Sequence, residues 1–219
     1  MCGILGSIPA INSDIFKKSL DLLNHRGPDD EGIINLGSRV SLGHKRLAIL
    51  DLSEKGKQPM SRYGRFHIVF NGEIYNFLEI RNDLQKKGYK FYSKSDTEVL
   101  LYSFIEWGHD CVNKFNGMWA FAIWNSEENT LFISRDRLGE KPLYYSFENN
   151  NFLFASEQKA LLPLLNEVKV SSNFKNLVQN PYLSTKETLF SKIYKFPAGS
   201  SGLLKDNIFS IKRYWTPEI

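Results

Sequence analysis

The sequence predicts an α+β fold in which antiparallel sheets are covered by helices. Three observations carry this expectation. Strand-like runs precede, separate and follow two strong helical segments rather than alternating with helices one for one, which argues against a parallel βαβ sheet. Successive strand-like runs in the second half are joined by turn-length stretches of Asn, Glu and Gly. The 219 residues are 42% hydrophobic and 14% aromatic, enough for one large globular unit or two small ones without covalent staples.

In chain order, Ser13 can cap a helix from Asp14 to about Leu23 that aligns Phe16, Leu20 and Leu23 on one face. "HRGPDDEG" breaks it. "GIINL", "RVSLGHKRLAIL" and "RFHIVFN" alternate as half-buried strands, the first two joined by a Gly-Ser turn. Asn76 and Glu79 form a capping-box-like start for a helix that buries Phe77, Ile80 and Leu84 and closes at Gly88. Ser95 and Glu98 frame a second helix, "TEVLLYSFIEW", closed by Gly108. "GMWAFAIWN", "TLFISRD", "KPLYYSFE" and "NFLFASE" then read as a four-strand meander, followed by a short helix at "EQKALLPLL". From Asn166 to about Ser184 the pattern is a loop with an embedded helix, and "GSSGLL" and "IFSIKRYW" are the last strands. No internal repeat or low-complexity segment occurs.

Composition removes several function classes. Cys2 and Cys111 give neither a disulfide framework nor metal-ligand spacing, and His25, His44, His67 and His109 are widely separated, so no metal site is expected. The cysteine usage fits a reducing compartment, with the cytoplasm as the default. A net charge of +4, with Lys and Arg scattered, indicates neither nucleic acid nor membrane as partner, and no apolar run approaches a membrane span. No Walker loop or G-x-G-x-x-G is present; "GKQPM" has Gly56 and Lys57 without the required spacing.

The opening "MCGILG" holds the most pointed chemistry. An isolated cysteine is more often a small buried hydrophobe. Removal of Met1, however, would give one residue both a thiol and a free α-amine, a nucleophile with its own base. Asn71-Gly72 stands where a strand ends and alone reads as a hairpin turn, and Asn116-Gly117 is a second copy of that signal with a structural reading. Alone, Arg46 reads as a surface charge and Asp96 as a carboxylate stabilised by the first turn of its helix.

Taken in order, "MCGILG", "HRGPDDEG", "GHKRLAILDLS", "FNGEIYNF", "KSDTEVLL", "FNGMWAFAIWN", "SRDRLGEKPLYY" and "FASEQKALL" resemble the glutaminase domain of glutamine-dependent asparagine synthetases, and "LFSKIYKFPAGS" is similar to that domain's closing segment. The resemblance covers nearly the whole chain, residues 2–219 being taken as one class II glutamine amidotransferase domain. It implies an N-terminal-nucleophile αββα four-layer sandwich with two antiparallel sheets. "HRGPDD" points to the asparagine-synthetase-like branch rather than to relatives that aminate fructose phosphate or phosphoribosyl pyrophosphate.

The resemblance also implies roles. Cys2 would be the nucleophile, with its α-amine as base. The Asn71 amide and the Gly72 N–H would form the oxyanion hole. Arg46 would take the glutamine α-carboxylate in two parallel hydrogen bonds, which lysine would not reproduce. Leu47, Ala48, Ile49 and Leu50 would line the pocket with backbone groups, and Glu73 and Asp96 would complement the α-ammonium. Arg26 would organise the "HRGPDD" loop over the site, whereas Arg135, Asp136 and Arg137 read as an ion-pair knot behind it.

In this family the ammonia passes to a second domain where ATP activates a carboxylate, and that domain carries an S-G-G-x-D-S loop. "SSGLLKD" at 200–206 is not that loop, so the synthetase domain is expected outside this chain, in the same polypeptide or a partner. No cofactor is expected here; ATP and Mg belong to the missing domain. L-glutamine is the implied substrate, and pairing as a homodimer is common in the family. The competing reading is a catalytically silent scaffold or assembly module of the same fold.

Overall fold

The structure, a computed structural model, describes residues 1–179 and 186–217; residues 180–184 of the expected loop lie outside the described residues. Strand β1 (Gly3–Ile8) leads into helix α1 (Ser13–Asp21), followed by β2 (Asp30–Asn35), β3 (Ser41–Arg46), β4 (Met60–Arg62) and β5 (Phe66–Ile74). Helices α2 (Phe77–Lys86) and α3 (Asp96–Trp107) come next, then β6 (Gly117–Asn125), β7 (Thr130–Arg135), β8 (Tyr144–Glu148) and β9 (Asn151–Ala155). Helix α4 (Phe174–Gln179), β10 (Tyr194–Lys195), β11 (Ser200–Lys205) and β12 (Ile208–Arg213) complete the chain.

The strands form two antiparallel six-stranded sheets, ordered β10-β8-β9-β1-β3-β2 and β12-β11-β7-β6-β5-β4. Three apolar layers hold them. Phe16, Leu20 and Leu23 from the α1 region pack on Leu5, Leu153 and Ala155 of the first sheet. Ile4, Val69, Ala120, Ala122, Phe152 and Phe154 fill the space between the sheets. Ile80, Leu84, Val99 and Leu101 of α2 and α3 cover Phe70, Trp119, Phe121 and Ile123 of the second sheet. This is the αββα sandwich that the resemblance implied.

Because each sheet is covered on both faces, its central strands are not half-buried as the alternation suggested. All six residues of β3 are buried, and β6 sends Trp119, Phe121 and Ile123 to the helices but the small Ala120 and Ala122 to the facing sheet. The expected meander is also divided. The β6–β7 hairpin belongs to the second sheet and the β8–β9 hairpin to the first, so the chain crosses between layers after β7. Strand β1 inserts between β9 and β3, and the short β4 forms an edge; neither is foreseen by the local pattern.

Cap details differ from expectation in instructive ways. The α1 cap is Asn12, whose Oδ1 accepts the N–H groups of Asp14 and Ile15 at 2.9 and 3.2 Å. Asn76 makes no side-chain cap; its amide instead donates to the Lys114 carbonyl and accepts from the Asn116 N–H, pinning the start of β6. Ser95 does cap α3. Its expected partner Glu98 turns inward and accepts from the Tyr92 and Ser93 N–H groups while pairing with Arg62. "EQKALLPLL" forms two 3₁₀ turns rather than an α-helix.

One contact crosses the sheets beneath the site. Nε2–H of His44 on β3 donates to the Phe70 carbonyl on β5 at 3.2 Å. Burial drives the imidazole pKa down to about 4, so the ring stays neutral and fixes the height of β5 against β3 at physiological pH.

Candidate active site

The start of β1 and the second half of β5 lie at the same end of the sandwich, one in each sheet. Between them a cavity of about 250 Å³ is lined by Cys2, Arg46, Leu47, Ile49, Leu50, Asn71, Gly72, Glu73 and Asp96, with Met1 at its side. This is smaller than the ~300–1,000 Å³ of drug-sized sites and suits an amino acid. Of the residues named from sequence, Ala48 alone does not line it; its N–H is taken by Asp29 at 2.8 Å.

Cys2 is held from both sides. Its Sγ lies 3.4 Å from the Leu47 N–H and 3.7 Å from the Leu47 carbonyl, and Arg26 Nε donates to its carbonyl at 2.8 Å. Arg26 is itself paired with Glu157 at 3.0 Å, which holds its guanidinium against the Cys2 backbone. Burial pushes the Cys2 thiol pKa up, against the pull of the Leu47 N–H. The sulfur is therefore a thiol at rest and needs a proton acceptor to attack.

Asn71 and Gly72 are not a hairpin turn. They sit inside β5, paired with Ala120 and Trp119. A Cβ on Gly72 would meet the Met118 carbonyl at 2.2 Å, so glycine is required here by close approach of the neighbouring strand. Asn71 is 1% exposed, yet its Nδ2 has no hydrogen-bond partner among the described residues. A buried amide donor left unmade costs about 1–3 kcal/mol, which marks the position as one held for an absent acceptor.

Arg46 is fixed by the segment that follows β3. Its guanidinium donates to the carbonyls of Asp51 and Ser53, and Gly56 packs against it so closely that a Cβ would touch Nη2 at 2.5 Å. Asp30 Oδ2 lies 4.0 Å from Nη1 of the same guanidinium, and Arg46 also lines the cavity. Asp51 anchors this segment through Ser53 and the Lys94 N–H.

Asp96, 5% exposed, accepts the Ile74 N–H at 3.0 Å and has no cation in ion-pairing range among the described residues. Burial raises its pKa to about 6, countered in part by the Ile74 and Thr97 N–H groups and reinforced by the neighbouring Glu73. The free-protein pKa stands above the unfolded value, so the group favours folding below about pH 4 and that contribution disappears as pH rises through 6. A bound ammonium reverses the preference by favouring the carboxylate. The affinity of a Cys2→Ala variant for L-glutamine, measured calorimetrically, should fall as pH drops below about 6, by up to about tenfold per unit. Asp96→Asn in that background should flatten the dependence.

Sequence reasoning missed Gln58, Thr97, Met118 and Lys141, all of which line the cavity. Gln58 accepts the Phe70 N–H at 2.6 Å and donates to Thr97 Oγ1 at 3.2 Å, tying β5 to α3 directly under Asn71. The expected ion-pair knot is instead a backbone clamp. Arg135 donates to the carbonyls of Gly139, Lys141 and Phe196, and Asp136 accepts the N–H groups of Trp119, Leu138, Glu140 and Lys141. The carbonyls supply acceptors for the guanidinium N–H groups and fix the loop, without neutralising the charge, and burial lowers the Arg135 pKa.

The family model for the glutamine amidotransferase domain matches residues 1–215. Asparagine synthetase [glutamine-hydrolyzing] 3 of Bacillus subtilis is 40% identical over 237 residues, covering 100% of this chain and 37% of that protein. A putative asparagine synthetase [glutamine-hydrolyzing] 2 of Methanocaldococcus jannaschii is 36% identical, covering 100% of this chain and 47% of that protein. Among solved structures, glutamine phosphoribosylpyrophosphate amidotransferase from B. subtilis, complexed with ADP and GMP, superposes with a TM-score of 0.74 at 19% identity, covering 99% of this chain and 50% of that one. That likeness establishes the fold.

The chain belongs to the class II glutamine amidotransferase domain family, whose general function is glutamine hydrolysis with transfer of the ammonia. It is homologous to glutamine-hydrolysing asparagine synthetases along its full length and spans less than half the length of these two relatives. No helix among the described residues is long and apolar enough to cross a membrane.

Proposed function

We propose that this domain hydrolyses L-glutamine through a Cys2 thioester once Met1 is removed. The α-amine of Cys2 takes the thiol proton as sulfur bonds to the side-chain carbonyl carbon, and the carbonyl electron pair moves to oxygen. Asn71 Nδ2 and the Gly72 N–H receive that oxyanion. The amine then gives its proton to the departing ammonia, and water, activated by the same amine, releases glutamate from the thioester. Arg46 grips the α-carboxylate while Glu73 and Asp96 grip the α-ammonium, with Leu47, Ile49 and Leu50 enclosing the substrate. The observation that carries this reading is the unpartnered Asn71 amide in one cavity with a part-buried thiol and an unpaired buried carboxylate.

The ammonia would serve an ATP- and Mg-dependent synthetase domain, in the same or a partner chain, that amidates aspartate or a related carboxylate. Support comes from the relatives, which are glutamine-hydrolysing asparagine synthetases more than twice the length matched here. A homodimer is the assembly we expect, and two unpaired cysteines fit a reducing, cytoplasmic setting. Incubating the processed protein with L-glutamine tests the core of the proposal. Glutamate and ammonia should appear in equal amounts and vanish with Cys2→Ala; no glutamate above a heat-killed control would leave the silent scaffold.

A further inference from the structure

Beyond Ile68 the outer edge of β5 loses its partner strand. β4 pairs with it only from Met60↔Ile68 to Arg62↔Phe66, on the side away from β6. In an antiparallel strand every second N–H faces the same neighbour, so those of Phe70, Gly72 and Ile74 all point to this open edge. Trp119, opposite Gly72, accordingly gives its own N–H to Asp136 at 3.2 Å. Two of the three edge donors are taken by side chains. The Phe70 N–H donates to Gln58 Oε1 at 2.6 Å and the Ile74 N–H to Asp96 Oδ2 at 3.0 Å. Gly72, between them, lines the cavity, and its N–H has no side-chain acceptor among the described residues.

Gln58 holds its place by register. Continued two residues further along each strand, the Met60↔Ile68 pairing would set Gln58 opposite Phe70. Its backbone has left the sheet, however: the Gln58 carbonyl packs on β2, where a Cβ on Gly32 would meet it at 2.1 Å. The side-chain carbonyl takes the N–H that a strand carbonyl would have taken. Since an N–H must face an oxygen, the amide orientation is fixed, and Nε2 is left to donate to Thr97 Oγ1 at 3.2 Å. The residue is buried between both sheets and α3. With His44 on the Phe70 carbonyl, the backbone just before Asn71 is held at its N–H and its C=O alike.

We propose that Gln58 is a positioning residue for the oxyanion donors: standing in for the absent strand at Phe70, its amide fixes the direction in which Asn71 Nδ2 and the Gly72 N–H meet the cavity. This rests on the glutaminase reading above. In this role Gln58 touches no reacting atom and moves no proton. Substrate grip is separate, because Arg46 is held by its own loop and Asp96 by the Ile74 N–H.

In the processed protein, Gln58→Met, which keeps the length of the side chain and removes both bonds, should lower kcat for glutamine about 10- to 100-fold with KM within about threefold. Hydrogen exchange at the Phe70 amide, read by NMR on protein carrying isotope-labelled phenylalanine, should quicken at least about tenfold relative to Phe121, its partner on β6. A general loss of stability would quicken both together and overturn the assignment. Gln58→Glu, whose carboxyl accepts the N–H in either protonation state, should leave Phe70 protected and recover most of kcat. A kcat that does not follow Phe70 protection across the two variants overturns the proposal, and so does a loss confined to KM. Should Gln58→Met fail to fold, Gln58→Glu decides alone: near-parent turnover with Phe70 protected upholds the proposal, and a large loss with Phe70 protected overturns it. If the parent protein hydrolyses no glutamine while Phe70 exchange still rises in Gln58→Met, the glutaminase reading fails and the clamp on β5 stands.

Discussion

Protein whose first residue is Cys2 should hydrolyse glutamine about 10²- to 10⁴-fold faster than the same chain with Met1 retained. Among the described residues the Sγ hydrogen-bonds only with the backbone of Leu47, with no histidine or carboxylate in hydrogen-bond reach to take its proton. Burial raises the thiol pKa, making spontaneous ionisation rarer than for a free cysteine. The α-amine supplies what the side chains lack. With a pKa near roughly 8 it is about one-quarter neutral at pH 7.5, whereas a lysine near about 10.4 is about one part in a thousand neutral. While Met1 remains, that nitrogen is an amide with no basic lone pair, and Met1 itself occupies part of the cavity wall. Intact mass on an N-terminally extended chain before and after specific cleavage gives the fraction of each form, and glutamate release should track the Cys2-first fraction. Equal turnover by the uncleaved chain would overturn the mechanism.

The two main helices and most strands were legible because their apolar periodicity is local: α3 and β6 fall where the side-chain spacing puts them. β1 was not, since "GILGSI" carries two glycines and becomes a strand only by insertion between β9 and β3. Packing explains its glycine at position 6, where a Cβ would lie 2.1 Å from the Phe154 ring. The split of the expected meander is equally non-local, because a turn sequence does not say which sheet the next strand joins. At the site, motif order named Cys2, Arg46, Asn71 and Asp96, which line one cavity, but Gln58 and Lys141 lie in loops: Gln58 bonds Phe70, 12 residues on, and Lys141 hangs on Asp136, which is itself tied to Trp119, 17 residues earlier. Long-range hydrogen bonds bring them in, and no periodicity encodes those.

Replacing Asn71 by leucine, close to it in volume, should lower kcat for glutamine about 100-fold while KM stays within about threefold, the cost of about 3 kcal/mol expected for one oxyanion donor. Its effect on stability should run the other way. In the free protein Nδ2 is buried and unpartnered, so removing the amide relieves a desolvation penalty of about 1–3 kcal/mol rather than breaking a contact. The melting temperature should equal or exceed the parent's, and differential scanning calorimetry beside steady-state kinetics reads both quantities on one preparation. A variant that loses activity and stability together would make Asn71 a structural residue of β5. Gly72→Ala is the contrasting case. Its Cβ would press on the Met118 carbonyl and the Trp119 backbone, so the strands must separate, shifting Asn71 as well and lowering stability along with turnover. Opposite signs for adjacent residues on one strand follow from what each contributes: Asn71 a donor held without a partner, Gly72 the space that allows β5 and β6 to close.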